Sequence, residues 1–213
     1  MKKKTLKMLV TALSVVLIIC LSVAGTLAYL QLKTNSVVNT FSPSNIDLKL
    51  EETATEGGTS TANTYQMIPG VVYAKDPQVT VTSDIDCYVF VQVQESGNFD
   101  TYMTYAIANG WKLCPTGTEE IDTVANDTYV LYREVSAAEA KNGKSFCVLA
   151  GDAQNANGIV TIKSEVTKAQ MDALYDEDGN VIDLPTLTFT AYAIQKSGFA
   201  TPVLAWEQAQ KQD

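Results

Sequence analysis

Acidic residues gather in one short stretch towards the C-terminal end of the sequence. Asp176, Asp178 and Asp183 surround Gly179 and Asn180. Carboxylate and amide oxygens are the ligands that Ca²⁺ prefers. The helix-loop-helix calcium loop, however, has Gly at its sixth position, whereas in this stretch Gly179 is the fourth residue when Asp176 is the first. A solvated hairpin turn explains the same residues. The stretch is a weak calcium candidate, and no other metal and no cofactor is predicted.

Histidine is absent from the whole sequence. Its absence excludes Ser-His-Asp and Cys-His catalysis, and also the two-histidine zinc helix of metalloproteases. Paired carboxylates and Ser-Lys dyads need no histidine, but no spacing singles out one pair among 24 acidic residues. We therefore predict that the protein is not an enzyme.

Three cysteines follow the N-terminal apolar segment: Cys87, Cys114 and Cys147. An odd number cannot all pair within one chain. Each has apolar neighbours, which is typical of buried thiols, while one disulfide with one free thiol is the alternative in an exported protein. Their spacing matches no zinc motif.

The N-terminal segment carries four lysines within its first seven residues and then no charge until Lys33. A basic start followed by an apolar core is typical of an export signal. Thr26 and Ala28 are small residues at the −3 and −1 positions of a cut before Tyr29. We predict a signal peptide over residues 1–28. The alternative is an uncleaved membrane anchor, because the charge-free run exceeds the roughly 18 residues that span a bilayer.

The part of the chain after this cut is strongly acidic. All 24 acidic residues but only 11 of the 15 basic ones lie beyond residue 28, which gives residues 29–213 a net charge of −13. Phosphate binding needs clustered Lys and Arg, so no nucleic-acid partner is predicted. The length favours a single domain over 29–213.

Alternating apolar and polar residues dominate that domain and predict strands. The predicted strands are 46–50, 78–82, 87–93, 128–135, 146–149, 159–162 and 187–194. The segment 87–93 is apolar on both faces, which predicts a central strand. Asn-Gly or Asp-Gly pairs mark the turns, because Gly tolerates a positive φ. Many short strands divided by turns predict a mainly-β fold, an antiparallel β-sandwich.

Short helices and one loop interrupt the strands. Capping-box residues predict helix starts at 136–139 and 167–170, and Thr201-Pro202 predicts a third. Residues 51–63 lack apolar periodicity, which predicts a mobile acidic and polar surface loop. The tyrosines and tryptophans are interpreted as core residues rather than as a glycan-stacking face.

Three ordered stretches of this sequence resemble the TasA/camelysin family of Gram-positive exported proteins. The first combines Gly25-Thr26-Leu27-Ala28-Tyr29 with Val37–Phe41 and Asn45–Leu48. The second runs from Pro69-Gly70 through Lys75-Asp76-Pro77 to Asp86–Val91. The third is Leu187–Gln195, followed by Gly198-Phe199 and Ala205-Trp206. The resemblance spans most of the chain, and the segment 51–63 and the middle section match least.

The resemblance implies a jelly-roll-like sandwich and a signal peptide that is cut by a SipW-type signal peptidase. It further implies an extracellular, cell-surface or biofilm-matrix location. Well-known members form biofilm fibres in which an N-terminal strand of one subunit completes the sheet of the next. The expected partners are therefore the SipW-type peptidase and other copies of this chain or related matrix subunits.

The residues that follow the cut are compatible with this mode of assembly. The candidate donor strand contains Tyr29, Leu30, Leu32, Val37, Val38 and Phe41. A free strand adds to an open sheet edge through backbone hydrogen bonds and side-chain pockets. Cleavage would then act as the trigger for assembly. The alternative is that residues 29–41 fold back as the first strand of their own domain.

Two other function classes remain open. One is a monomeric surface adhesin or glycan-binding module. The other is a camelysin-like endopeptidase, because camelysin-type members have been described as metallo-endopeptidases. Without histidine, such a peptidase would need a site made of carboxylates only, which is a poor ligand set for zinc.

Overall fold

The computed structural model describes residues 2–29, 44–56, 58–114 and 128–212, apart from the side chains of residues 2, 5, 18–29 and 212. The chain divides into two compact units, Met1–Ser42 and Pro43–Asp213. In the first unit, helix α1 spans Lys2–Tyr29. The second unit contains all the strands described below.

The described part of the second unit forms ten strands and four short helices. The strands are β1 (Ile46–Glu51), β2 (Val72–Ala74), β3 (Gln78–Ser83), β4 (Cys87–Glu95), β5 (Met103–Thr104), β6 (Lys112–Leu113), β7 (Thr128–Val135), β8 (Lys144–Cys147), β9 (Ile159–Ile162) and β10 (Leu187–Gln195). The helices are α2 (Phe99–Tyr102), α3 (Ala137–Ala140), α4 (Lys168–Asp172) and α5 (Pro202–Ala209), and a 3₁₀ turn over Gln210–Gln212 follows α5.

The strands pair antiparallel in three sheets with the orders β1-β3-β8, β10-β4-β7-β6 and β2-β9-β5. The two larger sheets share the main core, where Val79 and Val81 of β3 join Val89 and Val91 of β4 and Leu131 of β7. These side chains alternate along their strands, because successive residues of a strand point to opposite faces. The prediction of a mainly-β antiparallel sandwich with a few short helices is confirmed.

Strand β4 is the central strand that its sequence predicts, because it lies between β10 and β7. Its second face is covered by α5, whose Trp206 ring lies 5.4 Å from that of Phe90 and 5.0 Å from that of Tyr192. Helix α5 begins as predicted, with the Thr201 side chain accepting a hydrogen bond from the Leu204 N–H and Pro202 in the first turn. An apolar residue on either face of β4 is therefore buried.

All seven predicted strands are present, and one of them is shifted. Strand β8 covers Lys144–Cys147 rather than 146–149. It lies at a sheet edge, where its polar first residues face solvent. Val148 then donates its N–H to the Pro77 carbonyl, and Leu149 forms an isolated bridge to Ile107 outside the strand.

The segment 51–63, which the sequence predicts as a surface loop, runs from the last residue of β1 towards β2 and makes several hydrogen bonds. Thr53 donates its backbone N–H and its hydroxyl to the Asp76 carboxylate, over 2.9 and 2.8 Å. Thr55 donates in the same two ways to Asn63 Oδ1. These bonds hold both ends of the segment, and its mobility stays a prediction.

Candidate functional site

The predicted cleavage residues lie at the end of α1. Thr26, Ala28 and Tyr29 belong to the last turn and a half of this helix, which ends at Tyr29. In the part of the chain that the structure describes, no helix has the length and apolar character needed to cross a membrane. The remaining donor-strand residues, which are Leu30, Leu32, Val37, Val38 and Phe41, lie outside the described residues.

Two sheet edges meet at one side of the sandwich. Among the described residues, β1 pairs with β3 alone and β10 pairs with β4 alone, so each has one edge without a neighbouring strand. Strands β1 and β10 contact each other across the sandwich. We call this line of contact the β1–β10 seam. Because the free edges of β1 and β10 lie at this seam, the backbone N–H and C=O groups of two sheet edges lie along the same side of the sandwich.

The core-facing side chains along the seam are incompletely buried. Those of β1 are Ile46, Leu48 and Leu50, and those of β10 are Leu187, Phe189, Ala191 and Ala193; all are partly exposed. Their counterparts one strand further in, such as Val79 and Val91, are 0% exposed. The sandwich is thus tightly closed at β3 and β4 and open at the seam.

A cavity of about 860 Å³ lies at one end of the seam. Leu50 and Glu51 of β1 and Leu187 and Phe189 of β10 line it, which makes the cavity continuous with the seam. Its other apolar walls come from the β2-β9-β5 sheet, from α2 and α4 and from the segments between these elements, with Tyr65, Met67, Tyr73, Phe99, Met103, Ile162, Met171 and Leu174 among them. This volume and an apolar, partly aromatic lining are typical of binding pockets.

Exposed apolar side chains of the second unit concentrate around the cavity. Tyr175 and Leu184, which line it, are 44% and 38% exposed. Ile68, Val72 and Ile182 lie within two residues of cavity-lining positions and are exposed to a similar or greater extent. A patch of this kind is typical of a surface that binds another protein.

An ion pair lies in the cavity wall. Lys75 Nζ is 2.9 Å from Glu52 Oε2, and the two side chains are only 12% and 11% exposed. The Lys75 ammonium also lies 5.5 Å from the Tyr65 ring centre and 5.7 Å from that of Phe189. Burial, followed by the charges of Glu52 and Asp76, raises the pKa of Tyr65 to about 12. Tyr65 therefore lies in the wall as a neutral phenol.

The three charged residues that line the cavity are Glu51, Glu52 and Lys75, with a net charge of −1. Since Glu52 is paired with Lys75, the net negative charge is that of Glu51 at the end of β1. Such a cavity suits an apolar group that carries a positive charge at one end.

The weak calcium candidate is a hairpin turn. The Asp176 carboxylate accepts hydrogen bonds from the backbone of Asp178 and Asn180 and from the Asn180 amide, and these bonds lower its pKa. Asp183 instead accepts from the Asn98 side chain. Among the described residues, no three His, Cys, Asp or Glu side chains form a group that could hold a metal ion.

The three cysteines of the second unit, Cys87, Cys114 and Cys147, are free thiols. Cys87 and Cys114 are buried, and Cys147 is partly buried with its thiol donating to the Asn157 carbonyl. Burial is the main cause that raises the pKa of each thiol. Of the two alternatives that the sequence left open, the structure therefore shows unpaired thiols.

A buried polar group that the sequence does not predict lies beside the core. Tyr105 donates its hydroxyl to Glu95 and shares a 2.5 Å hydrogen bond with Tyr129. Burial is the main cause that raises the pKa of both tyrosines. These groups hold β4, β7 and the segment after β5 together, and they satisfy each other's hydrogen-bonding capacity.

The cavity itself was not predicted from the sequence. Its methionines at 67, 103 and 171 come from distant parts of the chain and share no local pattern. The one usable signal was the apolar run Val181-Ile182 beside Leu184, which no predicted strand or helix used.

Comparison with protein-family models, with curated proteins and with solved structures finds no match for this chain.

Proposed function

We propose that this chain is an exported structural subunit that forms extracellular fibres by strand addition once its signal peptide has been cut before Tyr29. On this proposal it is a protein of the TasA/camelysin kind, processed by a SipW-type signal peptidase and located at the cell surface or in a biofilm matrix. The observation that carries the proposal is the β1–β10 seam.

The seam offers what an added strand needs. Strand β1 presents a six-residue edge, and an added strand gains backbone hydrogen bonds there. Its inward side chains would cover Ile46, Leu48 and Leu50, which the domain leaves partly exposed. Burying apolar surface stabilises by about 25 cal/mol per Å², so covering these side chains adds to the backbone pairing.

Residues 29–41 have the sequence of a strand that could pair with the free edge of β1. It contains Val37, Val38 and Phe41 at one end and Tyr29, Leu30 and Leu32 at the other, and it has no acidic residue. A strand given by one subunit and accepted by the next makes a heterologous contact that does not close, and such contacts propagate as filaments.

Purified protein that begins at Tyr29 tests the proposal. We expect it to form filaments in electron micrographs above a threshold concentration, and we expect deletion of residues 29–41 to keep it monomeric. The double substitution V37D/V38D places a charge on both faces of the strand and should block assembly. The matched control N35D/S36D adds the same charge outside the apolar positions and should assemble.

The proposal fails if the protein that begins at Tyr29 stays monomeric at all concentrations and deletion of 29–41 changes nothing. A monomer that binds glycans would then favour the adhesin alternative. Far-ultraviolet circular dichroism of each variant establishes that a loss of filaments is not a loss of folding.

A further inference from the structure

We propose that the cavity at the end of the β1–β10 seam binds the free N-terminus of a second copy of this chain, with the apolar residues Tyr29, Leu30 and Leu32 inside and the new α-ammonium group close to Glu51. This inference rests on the proposed strand addition. It adds a specific binding site for the newly cut end of the chain, which we call the anchor cavity.

Antiparallel pairing with β1 would place that end at the anchor cavity. Strand β1 runs from Ile46 to Glu51, and Glu51 lines the cavity. A strand that pairs antiparallel with β1 therefore begins near Glu51 and ends near Ile46. If residues 36–41 occupy the six positions beside β1, the seven residues 29–35 lie past Glu51. Fully extended they would span about 23 Å, so the chain must bend within the cavity for the α-ammonium group to lie close to Glu51.

The walls of the anchor cavity suit these side chains. Tyr65, Tyr73 and Phe99 supply aromatic surface, and Met67 and Met171 supply flexible side chains. Methionine adapts its shape to the group that it contacts, and aromatic rings pack favourably against each other. A tyrosine and two leucines match this lining better than the polar residues Thr34, Asn35 and Ser36 do.

The charge of the anchor cavity also matches that of the newly cut N-terminus. The lining has a net charge of −1, which Glu51 carries. The first acidic residue after the cut is Asp47, whereas Lys33 and the α-ammonium are cations. In the uncut chain, Tyr29 is the last residue of α1 and its nitrogen belongs to an uncharged peptide bond. The anchor cavity would thus distinguish the cut chain from the uncut one.

Competition by synthetic peptides tests this inference on the chain that begins at Tyr29. A peptide of residues 29–41 with a free N-terminus should inhibit filament growth, measured by light scattering and electron microscopy. The same peptide with an acetylated N-terminus should need a concentration about tenfold higher, the effect expected for one hydrogen bond to a charged group. A peptide with Tyr29→Ala and Leu30→Ala should also be weaker.

A matched pair of variants separates the anchor cavity from the rest of the seam. Glu51→Gln removes the carboxylate at the cavity, and Asp47→Asn removes one from the same exposed face of β1 at its far end. We expect E51Q to abolish the difference between the free and the acetylated peptide, and we expect D47N to preserve it.

The outcomes of this test differ from those for the proposed function. If filaments form but free and acetylated peptides inhibit equally, or E51Q and D47N behave alike, the anchor cavity is refuted while strand addition stands. If no filaments form under any condition, the failure is that of the proposed function.

Discussion

Arg133 joins the two large sheets at the side opposite the seam. Its guanidinium carbon lies 4.2 Å from the ring centre of Phe146 on β8 and 5.3 Å from that of Trp111 beside β6. The same group donates hydrogen bonds to the carbonyls of Asn109 and Gly110. A planar cation that stacks on aromatic rings and also binds carbonyls is a role that Lys cannot fill. This side of the sandwich is therefore fixed by Arg133.

Substitution of Gly110 tests how much this arrangement contributes. Gly110 has φ = +91°, and a Cβ there would lie 1.7 Å from Arg133 Nη2. Gly179 has a similar φ of +80° but open space around it. We expect G179A to lower the free energy of unfolding by about 1–2 kcal/mol through backbone strain alone. G110A should cost about 2 kcal/mol more, because Arg133 must leave its carbonyls and rings.

Urea unfolding of both variants measures this difference. Equal losses of stability in G110A and G179A would show that Arg133 can move without cost, which would contradict its role in joining the sheets.

The pKa of Tyr65 makes a separate prediction about alkaline stability. Its ordinary value is 10.0, and burial with the charges of Glu52 and Asp76 raises it to about 12. Between these two values the folded chain holds a proton that the unfolded chain has lost, so stability falls as the pH rises from about 10 to 12. Below pH 10 both states hold the proton, and Tyr65 adds no pH dependence.

Tyr65→Phe removes this titration, so its urea midpoint should fall less steeply between pH 10 and 12 than that of the unsubstituted chain. The exposed Tyr175→Phe serves as the control. An unchanged slope in Y65F would mean that Tyr65 ionises normally and that the cavity wall is well hydrated.

At the scale of elements, α5 is the part that closes the outer face of β4. Trp206 is 3% exposed, while Leu204 on the same helix is 48% exposed. We expect W206A to destabilise by about 3–5 kcal/mol, because it leaves a large hole against Phe90 and Tyr192. L204A should change stability by less than about 0.5 kcal/mol, as surface substitutions usually do. Thermal melts of both variants measure the contrast, and a small effect of W206A would contradict the packing.

The long elements were predictable because their patterns are local. The alternation of apolar and polar residues predicted the seven longer strands. The capping-box residues Ser136 and Glu139 predicted the start of α3, and both reciprocal hydrogen bonds of that capping box are present in the structure. Strands β2, β5 and β6 were missed, because two or three residues are too few to show a period. Their pairing depends on neighbours that are distant in the sequence.

The candidate site was less predictable from the sequence, because it too depends on residues that are distant along the chain. Residues 26–29 could be proposed as a cleavage site from the sequence alone, because a signal peptidase recognises a contiguous segment. The anchor cavity brings together Leu50, Met103 and Phe189, which lie far apart in the chain. Partial exposure at the seam depends on which strands lie at the sheet edges, and that order is a property of the folded topology.

At the scale of the whole molecule, the proposed function makes both processing and assembly depend on one peptide bond. We expect Ala28→Leu to keep residues 1–28 attached, because a small residue is required at the −1 position. Mass spectrometry of the protein from cells gives the N-terminus directly. Ala24→Leu should still yield a chain that begins at Tyr29. A Tyr29 start in both variants would show that residue 28 does not define the cut.

On the proposed function, assembly must also overcome the charge of the subunits. Residues 29–213 carry −13 charges, so neighbouring subunits repel each other across their whole surfaces. The Debye length falls from about 30 Å in 0.01 M salt to about 8 Å in 0.15 M salt. Screening of this extent removes most of the repulsion between separate surfaces and leaves contacts within the seam less affected, because they are shielded from solvent.

We therefore expect the threshold concentration for filament growth to fall when sodium chloride is raised from 0.01 to 0.15 M. Sedimentation of filaments at a series of protein concentrations measures that threshold. Magnesium and calcium chloride at equal ionic strength should act alike, because the Asp176 carboxylate is already bonded within its own turn. A threshold that rises with salt would mean that local ion pairs, and not the net charge of the subunit, dominate the contact between subunits.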